Sequence, residues 1–381
     1  MAHQKFRIVL IMGVFLALIA FPLINGTFHL FHDVQSAENR SLAKKPLFNP
    51  EDPDDFPGRY EKYYNDDFSM RTMLVNNYNH LVYGLFHRSP VPDKVIVGKS
   101  GWLFTAGDED ALFFDKSPWL PDELTAFRDE LNYRIKVLDS LGIKYYFLIA
   151  PLKAEIYPEY VIGSGDRKNQ KSMGEELIEF LNHHGIQNTV NAYNTLRIQK
   201  LSGNQYYKTD NHWTQLGAFY SANAVLSRIH QDFPTIKPLD LNDFVITKTD
   251  YKAGNLAKMM SGVTNLEDIH YDLKPRSVFQ SVEVAKHGYP VPRMFAYPKD
   301  YEIVRETKDT TKLMLLLISD SFGATIFPFL SERFHHSVKI FDAWQYMLNK
   351  DIVLSEKPDV VVLMVHEARL RLMLEHRELG E

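Results

Sequence analysis

Leu313-Met314-Leu315-Leu316-Leu317-Ile318, followed directly by Ser319-Asp320-Ser321-Phe322-Gly323, is the stretch that decides how this chain folds. Six consecutive apolar residues are too few to cross a bilayer and too uninterrupted for a strand with one wet face. They predict a strand buried on both faces, as in a parallel sheet. Residues 143–150, 338–341 and 360–365 have the same character. Helical apolar spacing lies between these runs. Leu124, Phe127, Leu131, Ile135, Leu138 and Leu141 follow it, with Pro121 near the start and Gly142 just past the end. Residues around 173–183 form a second helical stretch, and Leu216, Phe219, Leu226, Ile229 and Phe233 mark a third. Strands alternating with helices predict an α/β sandwich with a largely parallel sheet.

Outside that frame the signals are shorter. Residues 95–104, with Gly98 and Gly101 between apolar neighbours, predict a hairpin. Residues 59–86 place Tyr60, Tyr63, Tyr64, Met70, Met73, Leu74, Leu81 and Leu85 at helical spacing. Residues 237–309 are less regular and read as an insertion or irregular lobe. At the N-terminus, Lys5 and Arg7 precede an uncharged stretch, residues 8–24, near the lower limit for a membrane span. Positive charge on that side alone predicts a cytoplasmic N-terminus and an exported remainder. The competing reading is a cleaved signal peptide, but Pro22-Leu23-Ile24-Asn25-Gly26 makes a poor cleavage site. The expected organisation is an anchor or uncleaved signal over 1–26 and a linker over 27–55, punctuated by Pro46, Pro50 and Pro53. One domain over 56–381 follows. That describes a single-pass protein of the cytoplasmic membrane with its domain on the periplasmic, extracytoplasmic side.

Composition narrows the chemistry. The chain has no cysteine, which excludes disulfides, a thiolate nucleophile, iron–sulfur clusters and a lipoprotein anchor. A net charge of -5 with scattered basic residues leaves no electrostatic footprint for nucleic acid. Ligands of open α/β sheets bind beyond the carboxyl ends of the strands, so the polar residues there are the candidates. Ser321 falls on a strand-to-helix turn, with Ser319 as the alternative nucleophile and Asp320 as a turn or capping residue. The segment Tyr207-Lys208-Thr209-Asp210-Asn211-His212-Trp213-Thr214 supplies the other half. Asp210 and His212, two apart in extended chain, point the same way. A serine hydroxyl needs an imidazole to take its proton and a carboxylate to hold that imidazole in the right tautomer. Asp210 and His212 also read as two metal ligands, yet no further cluster at ligand spacing supports a metal, and no cofactor is expected. His183-His184 and His335-His336 read as solvated surface. Lys153, after the first buried run, is either an anion-binding residue for substrate or a surface lysine. Trp213 is a packing residue or an acyl-site wall, and Arg369 is a further candidate for substrate binding or the partner of Glu367 in an ion pair beside the site.

Several stretches together resemble one family, the alginate O-acetyltransferases of the AlgJ/AlgX type and the related DHHW proteins. They are Glu38-Asn39-Arg40; Phe56-Pro57 through Asn65-Asp66-Asp67-Phe68 to Arg71; Val97-Gly98-Lys99-Ser100-Gly101-Trp102-Leu103-Phe104; Pro151-Leu152-Lys153 with Tyr157-Pro158-Glu159; Asp210-Asn211-His212-Trp213; Gly254-Asn255-Leu256-Ala257; and Asp320-Ser321-Phe322-Gly323. The resemblance implies an SGNH-hydrolase-like three-layer sandwich. It carries the family's catalytic Asp, His and Ser onto Asp210, His212 and Ser321. It also implies work outside the cytoplasmic membrane beside a membrane-bound O-acyltransferase (MBOAT) that supplies acetyl groups. The chain departs from the family pattern in the middle of the Asp-x-His-Trp motif, which holds Asn211, and at Asn255, a position where relatives often carry Asp. The expected activity is O-acetyl transfer to an exported polysaccharide through an acyl-serine. An acetyl esterase, or a non-catalytic polysaccharide-binding assembly protein, stands as the alternative.

Overall fold

The computed structural model describes residues 2–28, 30, 42–48, 50, 53–114, 118–165, 167, 170–263 and 266–379. Glu38-Asn39-Arg40 and much of the expected linker lie outside them. The chain forms two compact units, Met1–Val95 with Asn255–Leu266, and Ile96–Gly254 with Glu267–Glu381.

In the first unit the helix Ala2–Phe28 is long and apolar enough to cross a membrane, and its window Lys5–Pro22 buries nothing against protein. The single helical pattern read over 59–86 is broken in two, Phe56–Asp67 and Arg71–Phe86. Met70 at φ 65° makes the break, and the Arg71 Nε donates to the Asn65 carbonyl at 2.7 Å. That bond satisfies one of the carbonyls every helix end leaves orphaned. A period of apolar residues cannot register such a break when the phase is kept. The buried Asn79 amide donates to the Ser261 carbonyl at 2.8 Å, tying the second of these helices to the segment around Ser261.

The hairpin is present as β1 (Val95–Val97) and β2 (Leu103–Thr105). The remaining strands are β3 (Lys144–Ala150), β4 (Thr189–Val190), β5 (Phe244–Asp250), β6 (Ile269–Pro275), β7 (Val282–Glu283), β8 (Glu302–Glu306), β9 (Met314–Ser319), β10 (His336–Phe341) and β11 (Val360–His366). β5 and β6 pair as a separate antiparallel ribbon. The main sheet runs β4-β3-β11-β9-β10-β8-β7. Its first five strands are parallel, and β8 and β7 add antiparallel at one edge. The irregular lobe read over 237–309 therefore contributes the ribbon and the antiparallel edge.

Side chains of β3 show why the sandwich has three layers. The Phe147 ring meets Phe127 of the helix Pro121–Ser140, centroids 5.7 Å apart. The Tyr146 hydroxyl donates to Asp232, the last residue of the helix Gln215–Asp232, at 2.7 Å. Successive strand residues face opposite ways, so these helices cover opposite faces. Both faces being dry, β11 is buried at every residue and β3 from Tyr145 onward.

Under the helix Pro121–Ser140 sits a fully buried charge cluster. Arg134 Nε donates to Glu130 at 2.6 Å, its Nη1 to the Tyr346 carbonyl at 2.5 Å, and Glu378 lies 3.7 Å from its Nη2. Removing one partner of a buried pair leaves the rest uncompensated, at a cost of about 3–5 kcal/mol. Arg134→Leu is expected to lower the urea-unfolding free energy by that order, and an unchanged midpoint would refute the role given to the cluster.

Candidate active site

Strand register brings the turns together. Ser319 of β9 lies level with Phe341 of β10 and Met364 of β11, and His366 of β11 with Ala150 of β3. The turns leaving β3, β9 and β11 therefore open on one edge of the sheet. Asp320, the first residue past β9, is buried and works as a clamp. Its Oδ1 accepts the Phe322 N–H at 2.9 Å, and its Oδ2 accepts the Tyr346 hydroxyl and the His366 N–H, each at 3.0 Å. Burial pushes its pKa upward against the pull of these donors. The Ser319 hydroxyl is wholly buried, and a Cβ on Gly323 would come within 1.8 Å of it, so only glycine fits there. Ser319 is thus a packing residue. Ser321 is exposed.

The Asp210/His212 segment is a tight loop. Tyr206 and Trp213 form an antiparallel bridge, the Tyr207 N–H donates to the His212 carbonyl at 3.2 Å, and Thr214 caps the next helix by accepting from Gly217. Asp268 Oδ2 accepts both the N–H and the hydroxyl of Thr209 at 2.8 Å. A Cβ on Gly254 would meet the Asp210 Cβ at 2.5 Å, so the backbone of Gly254 presses directly on that carboxylate's stem. Held this way, Asp210 Oδ1 lies 2.7 Å from His212 Nδ1 and accepts the His212 N–H at 3.0 Å. The Tyr251 hydroxyl donates to its Oδ2 at 3.4 Å. On the other side of the ring, His212 Nε2 stands 2.8 Å from Ser321 Oγ. A carboxylate at Nδ1 keeps the proton there and leaves Nε2 to accept from the serine. Asp210, His212 and Ser321 thus form one continuous relay, with the serine open to solvent.

Of the candidate binding residues, Lys153 and Trp213 are buried, whereas Arg369 is exposed. Lys153 is 2% exposed, and its Nζ donates to the carbonyls of Leu103, Lys208 and Asp210 at 2.6, 2.8 and 3.0 Å. Burial lowers its pKa to about 7, opposed by Asp268, Asp210 and Glu109. With its three donors committed to backbone it has none left for an anionic substrate; it holds the His212 loop to β2. Trp213 is fully buried, its ring edge against Phe322 with centroids 5.1 Å apart, and packs the loop without forming an acyl-site wall. Arg369 pairs with Asp108 at 3.5 Å, not with Glu367. The buried Glu367 instead accepts the Leu152 and Gly174 N–H groups at 3.0 and 2.8 Å. Arg369 lines a cavity of about 290 Å³ together with Asp108, Met173 and Arg371. Phe322 and His366 complete the surroundings. The Phe322 ring lies 4.8 Å from His212 and stacks on His366 at 4.8 Å and 15°. In the sequence, His366 is marked only as a polar residue directly after the apolar run 360–365. Tyr251, Asp268 and Tyr346 carried no local signal at all.

A sheet with its site on the carboxyl edge and a serine on the first turn beyond β9 defines an SGNH hydrolase-like protein. The family model for the SGNH hydrolase-like domain of acetyltransferase AlgX matches residues 95–295, and the chain belongs to that family. The matched region contains Asp210 and His212 and ends before Ser321. The chain is 30% identical over 181 residues to the probable alginate O-acetylase AlgJ of Pseudomonas aeruginosa, covering 47% of this chain and 42% of that protein. It is 27% identical over 177 residues to the AlgJ of Pseudomonas syringae, again covering 42% of the relative. The chain thus aligns with less than half the length of these curated relatives. Among solved structures it resembles Bacillus cereus PatB1, with TM-score 0.54 and 16% identity, over 73% of this chain and 97% of that one. A DHHW family protein from Eubacterium siraeum gives TM-score 0.50 at 16% identity, covering 74% and 99%. At such identity these two speak for the fold.

Burial, aided by the nearby His212 and Arg369, pushes the His366 pKa down to about 3 from an ordinary 6.5 or so. The folded state therefore binds fewer protons than the unfolded one between those values. Its contribution to stability is full above pH 6.5 and falls as pH drops toward 3, by up to about 1.4 kcal/mol per pH unit. His366→Gln should flatten the decline in unfolding free energy between pH 6.5 and 5; a slope identical to wild type would show that His366 is not the acid-sensitive group.

Proposed function

We propose that this protein is an O-acetyltransferase that modifies an exported polysaccharide through an acetyl-Ser321 intermediate. The observation that carries the reading is the relay Asp210–His212–Ser321, with links of 2.7 and 2.8 Å, inside a chain of the AlgX family. The relatives' name, alginate O-acetylase, supports acetyl transfer to a polysaccharide as the reaction class.

Ser321 Oγ attacks the acetyl carbonyl of the donor while His212 Nε2 takes its proton, and Asp210 stabilises the imidazolium that forms. The tetrahedral oxyanion needs donors aimed at it. The Phe322 and Gly323 N–H groups already bond to Asp320, whereas that of Ser321 has no protein acceptor among the described residues and serves this role. Collapse breaks the bond to the leaving group, which regains the proton from His212, and leaves acetyl-Ser321. A sugar hydroxyl, deprotonated by His212, then attacks; the Ser321–acetyl bond breaks and Ser321 recovers its proton. An MBOAT is the partner that delivers acetyl groups. The N-terminal helix, with Lys5 and Arg7 at its start, anchors the chain in the cytoplasmic membrane with the domain on the periplasmic side.

The exposure of Ser321 favours one second reading, an esterase in which water takes the place of the sugar hydroxyl. Incubation with an aryl acetate and oligosaccharides, with acetylated sugar and free acetate measured together, separates transfer from hydrolysis. Ser321→Ala is expected to lose acetyl turnover on the order of 10⁴-fold while its melting curve and far-UV spectrum stay unchanged. Turnover retained in that variant, or a folded wild type inert to a fluorophosphonate probe, would remove the serine mechanism.

A further inference from the structure

We infer that His287, His336 and Glu356 form a binding site for one divalent transition-metal ion of the Zn²⁺ class, remote from Ser321. One ligand atom from each lies within 4.8 Å of the others. His287 Nδ1 is 2.8 Å from Glu356 Oε1, and His336 Nε2 is 3.1 Å from Glu356 Oε2. A tetrahedral zinc ion with ligands at about 2.0–2.1 Å spaces them about 3.3 Å apart. Small side-chain movements are enough to admit the ion. Two imidazoles and a carboxylate suit zinc and its neighbours better than magnesium or calcium, which prefer all-oxygen shells.

The groups behind these ligands are arranged as metal sites require. A metal-bound imidazole turns its second nitrogen to a carboxylate or carbonyl, which fixes the tautomer. His336 Nδ1 stands 3.1 Å from Glu306 Oε1, leaving Nε2 directed at the cluster. Glu302, 3% exposed, accepts the N–H groups of His287, Gly288 and Tyr289 at 2.5, 2.9 and 3.1 Å and so builds the loop that presents His287. Its Oε1 is also 3.4 Å from His287 Nδ1, while the fourth position of a tetrahedral ion is left to water. The Tyr289 hydroxyl donates to Glu356. Three carboxylates around two imidazoles give the cluster the negative charge that a dication neutralises. The reading of His335-His336 as solvated surface therefore fails for His336, whose ring faces two carboxylates.

Location assigns the ion's role. His336 opens β10, at the amino edge of the sheet, whereas Ser321 lies beyond the carboxyl edge. Glu356 ends the helix Lys350–Glu356, and His287 sits on the loop between β7 and β8. An ion here joins loop, strand and helix, and supplies stability without entering the acyl chemistry.

The test uses the full chain without an affinity tag, purified in detergent, stripped with a chelator and titrated with Zn²⁺ by calorimetry and with Co²⁺ by visible absorption. One ion per chain is expected, with a melting temperature raised by Zn²⁺ and lowered again by chelator. The Co²⁺ form should show the intense bands of four-coordination. His336→Ala and Glu356→Gln should lose the saturable site, and Glu306→Gln should weaken it about 10–100-fold. If a ligand variant does not fold, the Co²⁺ spectrum of the wild-type chain and the Glu306→Gln affinity still decide. Absence of saturable binding, or affinity untouched in all three variants, would overturn the site and leave two imidazoles hydrogen-bonded to carboxylates.

Discussion

The buried carboxylate of Asp320 is the constraint on which the arrangement around Ser321 depends. An ionised group removed from water costs several kcal/mol unless its lone pairs are matched, and here three donors from three places match them. They are the N–H of its own turn, the Tyr346 hydroxyl from the segment after β10, and the His366 N–H at the end of β11. One side chain thereby fixes the exits of three neighbouring strands. Tyr346 is held in turn through its carbonyl by Arg134, so the buried charge cluster under the long helix supports the turn that carries the serine. Strain or slack in this chain of contacts would appear at Ser321, the exposed residue immediately after the clamp.

The imidazole half of the site is fixed by a different device. Lys153 reaches from the exit of β3 and binds three carbonyls at once, two of them within the segment Lys208–Asp210. Its ammonium lies over the rings of Trp102 and Phe104, 5.1 and 5.3 Å from their centroids, which recovers part of the hydration lost on burial. Asp268 and Gly254 hold the same loop from its other side. The two halves are 109 residues apart in the chain, and the 2.8 Å contact between His212 and Ser321 exists because each half is tied to the ends of the same parallel strands.

These arrangements differ in how far they can be read from residues alone. The strands β3, β9 and β11 are legible because burial on both faces demands long apolar runs, and the fold class follows; β10 is less so, because the buried Lys339 interrupts its run. That Asp210, His212 and Ser321 meet is legible because the acyl chemistry proposed for them admits few residue types, and because a serine directly after such a run must stand at a strand exit. What escapes is whatever depends on where a long side chain ends. Lys153 has the same local sequence whether its ammonium meets solvent or three carbonyls. Glu367 and Arg369, two apart and opposite in charge, look like a pair, yet backbone N–H groups claim the first and Asp108 the second. His336 looks like surface because the Glu306 and Glu356 that flank it lie 30 and 20 residues away.

A parallel sheet separates its two edges chemically, and this protein uses both. Carboxyl ends gather polar turns, so the relay stands there; amino ends carry no such demand and are free for purely structural ties. β10 joins the two. Its first residue, His336, lies among carboxylates at the amino edge. Just past its last residue, the Asp342 N–H donates to the Ser319 carbonyl at 2.9 Å, one residue before the Asp320 clamp. A strand held at both ends by specific contacts cannot slide in register, and a one-residue slip would turn each of its side chains to the wrong face. Anchoring the amino end of β10 therefore defends the geometry at Ser321 from the far side of the sheet, without any group there touching that serine.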